Sequence, residues 1–116
     1  MSLTYTNYLK IDDLLHLQQP QSDPEEHDEM LFIIIHQTYE LWFKQILHEF
    51  ELLRNELKNG ETWTSVKTMS RVLTILKTLV GQVDILETMT PLEFNSFRGF
   101  LENASGFQSV QFRELE

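Results

Sequence analysis

The feature that most constrains this chain is a run from about Glu25 to Leu57 in which apolar residues keep helical spacing without a single glycine or proline. Asp23-Pro24-Glu25-Glu26 reads as its start. Asp23 can cap, Pro24 suits the first helical position, and Glu26 stands where a capping box wants a carboxylate. Asn59-Gly60 supplies the left-handed stop that ends such helices. About 32 residues at ~1.5 Å rise make a rod on the order of 48 Å long. Around Leu31 to Ile35 the rod is apolar on every side, a pattern that calls for burial all round.

Apart from Gly81, the remaining glycines and prolines fall at boundaries. A first helix runs roughly from Tyr5 to Leu17. A second long helix spans about Thr64 to Glu87, with Val66, Met69, Val72, Leu73, Leu76, Leu79, Val80, Val83 and Leu86 on one broad stripe that Gly81 weakens slightly. Thr90-Pro91-Leu92-Glu93 repeats the cap–proline–carboxylate start and opens a shorter helix through about Leu101. Asn103 to Gly106 is a loop, and Val110 to Glu116 begins a further helical pattern. No segment of strand period has useful length. The expected class is all-α, a helical bundle with two long helices, with residues 1–116 as a single helical unit. Two long and two short helices cannot easily bury the Leu31–Ile35 circumference, so a further surface is expected from more chain or from another subunit.

Charge and composition narrow the partners. Lys and Arg number 9 against 18 Asp and Glu, a formal net charge of −9. Nucleic acid and anionic membrane surfaces both need the opposite balance, so neither is expected as a partner. With no cysteine there is no disulfide scaffold, zinc knuckle or thiol nucleophile. The longest apolar run, Met30 to Ile35, is six residues, where a membrane span needs roughly 20. No leader pattern is visible at the N-terminus, and a soluble cytoplasmic protein is expected.

Among His16, His27, His36 and His48, only His36 lies in a strongly apolar stretch, with Phe32 and Glu40 one turn to either side and Phe43 two turns on. A neutral imidazole there can exchange a hydrogen bond with a ligand; a core histidine satisfied by a polar neighbour is the other reading. His36 and Glu40 are two potential metal ligands without a third, and no inward-facing pair of Glu-x-x-His motifs is present. Arg98 follows Phe94 by one turn with Phe97 beside it. A guanidinium flanked by rings can hold a carboxylate, or simply lie over apolar surface. Tyr5 and Tyr8 make an aromatic face on the first helix. These residues alone name no reaction.

The run from His27 to Lys44, HDEMLFIIIHQTYELWFK, closely resembles the tryptophan 2,3-dioxygenase family. Leu3-Thr4-Tyr5 with Tyr8-Leu9, Leu86 to Pro91, and Ser105-Gly106-Phe107-Gln108-Ser109 resemble it in the same order. The resemblance covers nearly the whole chain but only the N-terminal part of the family's. It implies an all-helical, homotetrameric, haem-dependent dioxygenase converting L-tryptophan and O₂ to N-formylkynurenine, the first step of tryptophan degradation by the kynurenine route. This chain would be its distal-side portion.

By the same resemblance, His36 is the distal histidine that hydrogen-bonds the indole N–H, and Phe32 is a wall of the indole pocket. Arg98 pairs with the substrate carboxylate. Phe94 stands where the family carries Tyr or Phe. Tyr5, Tyr8 and Leu9 belong to a segment lent to a neighbouring subunit's pocket. Ser105 and Gly106 match the loop over haem b, and Arg113 a propionate contact. The family's proximal iron ligand has no counterpart among the four histidines here, so the isolated chain is expected to be inactive. Two alternatives from other classes are a non-catalytic helical interaction module and an aromatic-ligand binder of the same fold.

Overall fold

A computed structural model describes residues 2–102, 104 and 108–116. Its elements are α1 (Tyr5–Tyr8), α2 (Ile11–Leu14), α3 (Glu29–Lys58), α4 (Thr62–Leu86), α5 (Pro91–Arg98), a 3-10 turn (Gly99–Leu101) and α6 (Val110–Leu115). The all-α expectation holds. At 30 residues α3 is a rod of about 45 Å.

The stop at Asn59-Gly60 is a complete Schellman end. Gly60 takes φ +72°, its N–H donates to the Leu57 carbonyl at 3.2 Å, and the Glu61 N–H reaches the Glu56 carbonyl at 2.8 Å. The chain then reverses into α4. Thr38 donates to Gln82 at 3.2 Å, Arg71 to Glu49 at 3.1 Å and Thr68 to Glu56 at 2.6 Å. Residue numbers rise on one helix as they fall on the other, so α3 and α4 are an antiparallel hairpin. Its core is Ile46, Val72 and Ile75, with Trp42, Leu79 and Leu115 packed against them.

Two starts differ from the sequence reading. The helix expected from Glu25 begins at Glu29, and Asp28 flanks it with no side-chain cap. Asp23 and Pro24 lie upstream of it, in a turn. Ser22 caps that turn instead, accepting from the Glu26 N–H at 2.9 Å. The helix expected over Tyr5–Leu17 is two single turns broken at Lys10, which takes φ +54°. Neither turn buries a residue, and four-residue helices have no packing energy to hold them in one rod. A Thr4–Asn7 capping box fixes α1 locally, with bonds of 2.8 and 3.1 Å.

The broad stripe expected on α4 is in fact two. Val72 and Ile75 face α3, whereas Val66, Met69, Leu73, Leu76, Val80 and Val83 are exposed. On α3, Ile35 is buried, but Met30 and Ile34 remain 38% and 42% exposed, so burial around Leu31–Ile35 is incomplete within this chain. The radius of gyration is 17.8 Å, against about 13 Å for a compact domain of this length.

Candidate functional site

Residues 32, 36, 39 and 43 follow helical spacing along α3, so their side chains share one face. All four are aromatic or imidazole rings, and they form a ladder. Phe32 lies 4.3 Å from His36 between ring centroids, His36 lies 6.2 Å from Tyr39, and Tyr39 stacks on Phe43 at 6.2 Å. Phe94 and Phe97, three residues apart on α5, close over the first rung at 5.6 and 5.7 Å from Phe32. They meet each other edge to face at 5.4 Å, the arrangement that ring quadrupoles favour. Phe112 on α6 covers the far end, 5.8 Å from Phe43.

His36 is fixed by its own helix. Its Nδ1 lies 2.8 Å from the Phe32 carbonyl oxygen. A carbonyl only accepts, so this contact assigns the proton of the neutral ring to Nδ1 and leaves Nε2 as an acceptor. Burial pushes the Tyr39 hydroxyl above its usual range. Glu40 is engaged by another element: its Oε1 and its backbone carbonyl both accept from Gln111, at 3.0 and 2.8 Å. No group of three potential metal-ligating side chains occurs among the described residues.

Local contacts start α5 and tie α6 to this face. Thr90 and Glu93 make the expected capping box, with bonds of 3.2 and 3.0 Å, and start α5 at Pro91. The Asp28 carboxyl shares a hydrogen bond with Glu93, which raises Asp28 above the ordinary carboxylate range and lowers Glu93. Gln111 fastens α6 to α3 one turn beyond His36.

Upstream, the buried Glu29 carboxylate accepts from the Gln21 N–H at 2.8 Å, the Ser22 N–H at 3.0 Å and the Ser22 hydroxyl at 2.6 Å. Burial alone would raise its pKa. The three donors outweigh that and hold it below the ordinary value.

The structure thus brings Phe32, His36 and Phe94 together. Arg98 is exposed one turn beyond Phe94, and no ion pair engages it among the described residues. Tyr5, Tyr8 and Leu9 are 75%, 66% and 43% exposed on and just after α1, and the two tyrosines are not part of the ring ladder. Arg113 lies exposed on α6 beside Phe112. Ser105 and Gly106 lie outside the described residues. Phe97, Tyr39 and Phe112 are members that the sequence reading did not place in the site. The spacing on α3 marks Tyr39, but only tertiary packing could reveal Phe112.

The site is one wall rather than a closed pocket. A surface groove of about 550 Å³ lies beside Pro20, His27, Met30, Leu31 and Ile34, and does not include His36. No helix among the described residues is long and apolar enough to cross a membrane.

A sequence model of the tryptophan 2,3-dioxygenase family matches residues 1–116. The chain is 64% identical to the tryptophan 2,3-dioxygenase of Herpetosiphon aurantiacus, over 99% of this chain and 44% of that protein. It is 59% identical to the enzyme of an Anaeromyxobacter species, over 99% of this chain and 43% of that protein. For a Nocardioides relative the identity is 55%, over 98% and 44%. The chain therefore spans less than half the length of these curated relatives. With a match that runs from its first residue to its last, the chain belongs to the tryptophan 2,3-dioxygenase family.

Proposed function

We propose that this chain supplies the substrate-side wall of a haem-dependent dioxygenase that converts L-tryptophan and O₂ to N-formylkynurenine. His36 carries this reading. Its Nδ1 proton is committed to the Phe32 carbonyl, so Nε2 is an acceptor suited to an indole N–H. The faces of Phe32 and Phe94 supply apolar walls of the kind an indole ring needs. Arg98 stands one turn further along α5, where its planar fork can pair with the substrate carboxylate. Tyr5, Tyr8 and Leu9, exposed on their own subunit, complete the pocket of a neighbour in a homotetramer.

Haem b suits the residues present on one face only. The aromatic ladder offers an apolar wall, Arg113 a cation for a propionate, and Ser105 and Gly106 a loop by resemblance. The iron's protein ligand is left to the part of the family chain beyond the match. Bound haem supplies the activation of O₂, while the chain's own residues bind the substrate, orient its indole edge and exclude water. We place the protein in the cytoplasm.

The test is a chimera in which residues 1–116 replace the matching part of the Herpetosiphon relative. It should form N-formylkynurenine with haem and reductant, whereas the 116-residue chain with haemin should not. A chimera that folds and binds haem but neither binds nor turns over L-tryptophan would contradict the reading. That result would leave a helical interaction module of the same fold.

A further inference from the structure

Between the two short helices and α3 the chain runs as a strap, Leu17 to Ser22, that α3 grips at both ends. At one end Gln37 makes a two-way amide contact. Its Oε1 accepts from the Gln18 side chain at 2.8 Å, and its Nε2 donates to the Leu17 carbonyl at 3.0 Å. At the other end the buried Glu29 carboxylate accepts from the Gln21 and Ser22 N–H groups and from the Ser22 hydroxyl. Residue numbers rise along the strap as they fall along α3, so the two run antiparallel.

The strap has little slack. Gln37 and Glu29 are eight residues apart on α3, about 12 Å along its axis. From Leu17 to Gln21 a fully extended chain reaches at most ~14 Å. Pro20 fixes its own φ and biases Gln19 towards extended backbone, so the stretch is written into the sequence. The two side chains thus set the place and the direction in which the residues before Leu17 leave the subunit. Those residues have little hold of their own. Neither α1 nor α2 buries a residue, and Leu3, Tyr5, Tyr8, Leu15 and Leu17 are more than half exposed.

We propose that Gln37 and Glu29 are positioning residues for the pocket of a second copy of this chain, because they hold the root from which the Tyr5–Leu9 arm reaches it. This rests on the lent arm of the proposed function. An arm on a fixed root meets its neighbour at a high effective concentration, and a loosened root dilutes it. Gln37 follows His36 in the chain, yet it acts through the strap, and its effect falls on the neighbour's site rather than its own.

The experiment uses the chimera of residues 1–116 with the remainder of the Herpetosiphon relative. Gln37→Leu removes both strap bonds at similar side-chain volume. Gln18→Leu removes one of them, and serves both measurements should the first variant fail to assemble. Amide exchange at Tyr8 and Leu9, whose N–H groups close α1, should quicken in Gln37→Leu while the α4 amides are unchanged. That measurement needs no tryptophan, so it stands apart from the proposed reaction. The KM for L-tryptophan should rise about five-fold with kcat little changed. Co-assembly with Arg98→Ala subunits separates a loosened root from a general loosening. The Gln37→Leu pockets then receive arms from neighbours with an intact strap, and sites with the parent KM should reappear. Unchanged exchange at Tyr8 and Leu9, or an unchanged KM, would overturn the inference. So would a raised KM at every competent site of the mixed assembly.

Discussion

The Nδ1 of His36 lies 2.8 Å from the carbonyl oxygen of Phe32, and the two rings are 4.3 Å apart. One residue, a single turn earlier on the same helix, therefore sets both the tautomer and the tilt of the imidazole. Backbone geometry does this without help from any other segment, so the acceptor at Nε2 is formed in the absence of ligand. Such preorganisation lowers the cost of ordering on binding.

It follows that His36→Ala should weaken L-tryptophan binding modestly in the chimera. A neutral hydrogen bond contributes on the order of 1 kcal/mol, or roughly five-fold in affinity. Some turnover should persist, because positioning rather than proton removal is lost. Titration of substrate into the variant, with product formation measured alongside, checks both parts.

Phe97 has no exposed surface and touches both Phe32 and Phe94. Phe97→Ala should cost about 3–5 kcal/mol of stability, in line with other buried aromatic truncations. Because few other contacts hold α5 to α3, the loss should appear as detachment of α5. Near-ultraviolet dichroism should fall more than far-ultraviolet dichroism.

Glu29 ties the 21–22 turn to α3 through three donors, and its folded pKa lies below the ordinary value of 4.5. A depressed carboxyl contributes its full stability above the unfolded pKa and loses it as pH falls through the folded one. Denaturant unfolding should therefore show stability dropping below about pH 4.5. Glu29→Gln should cost about 1–3 kcal/mol at neutral pH, and its difference from the parent should shrink in acid.

Local signals were readable in the sequence. The Thr90–Glu93 box and the Asn59-Gly60 stop depend on neighbours within four residues, and both stand as read. The start of α3 departs from its local signal because Ser22 and Glu29, seven residues apart, bond to each other and Asp23 lies outside the helix. On α4, apolarity alone merged a buried and an exposed stripe. In the site, Phe32, His36 and Phe94 were legible by resemblance, and Phe97 was noticed only as a flank of Arg98. The contact of Phe112 with Phe43 joins residues 69 apart in sequence, and no periodicity encodes it.

Arg98 offers the most direct test, because the proposed pocket separates the two ends of its ligand. Binding of L-tryptophan and of tryptamine, which keeps the indole but lacks the carboxylate, would be measured on the chimera and on its Arg98→Ala variant. Loss of a charge-assisted pair worth roughly 1.5–3 kcal/mol should weaken L-tryptophan by about one to two orders of magnitude and leave tryptamine unchanged. Equal affinity of both proteins for L-tryptophan would contradict the assignment of this face as the substrate wall.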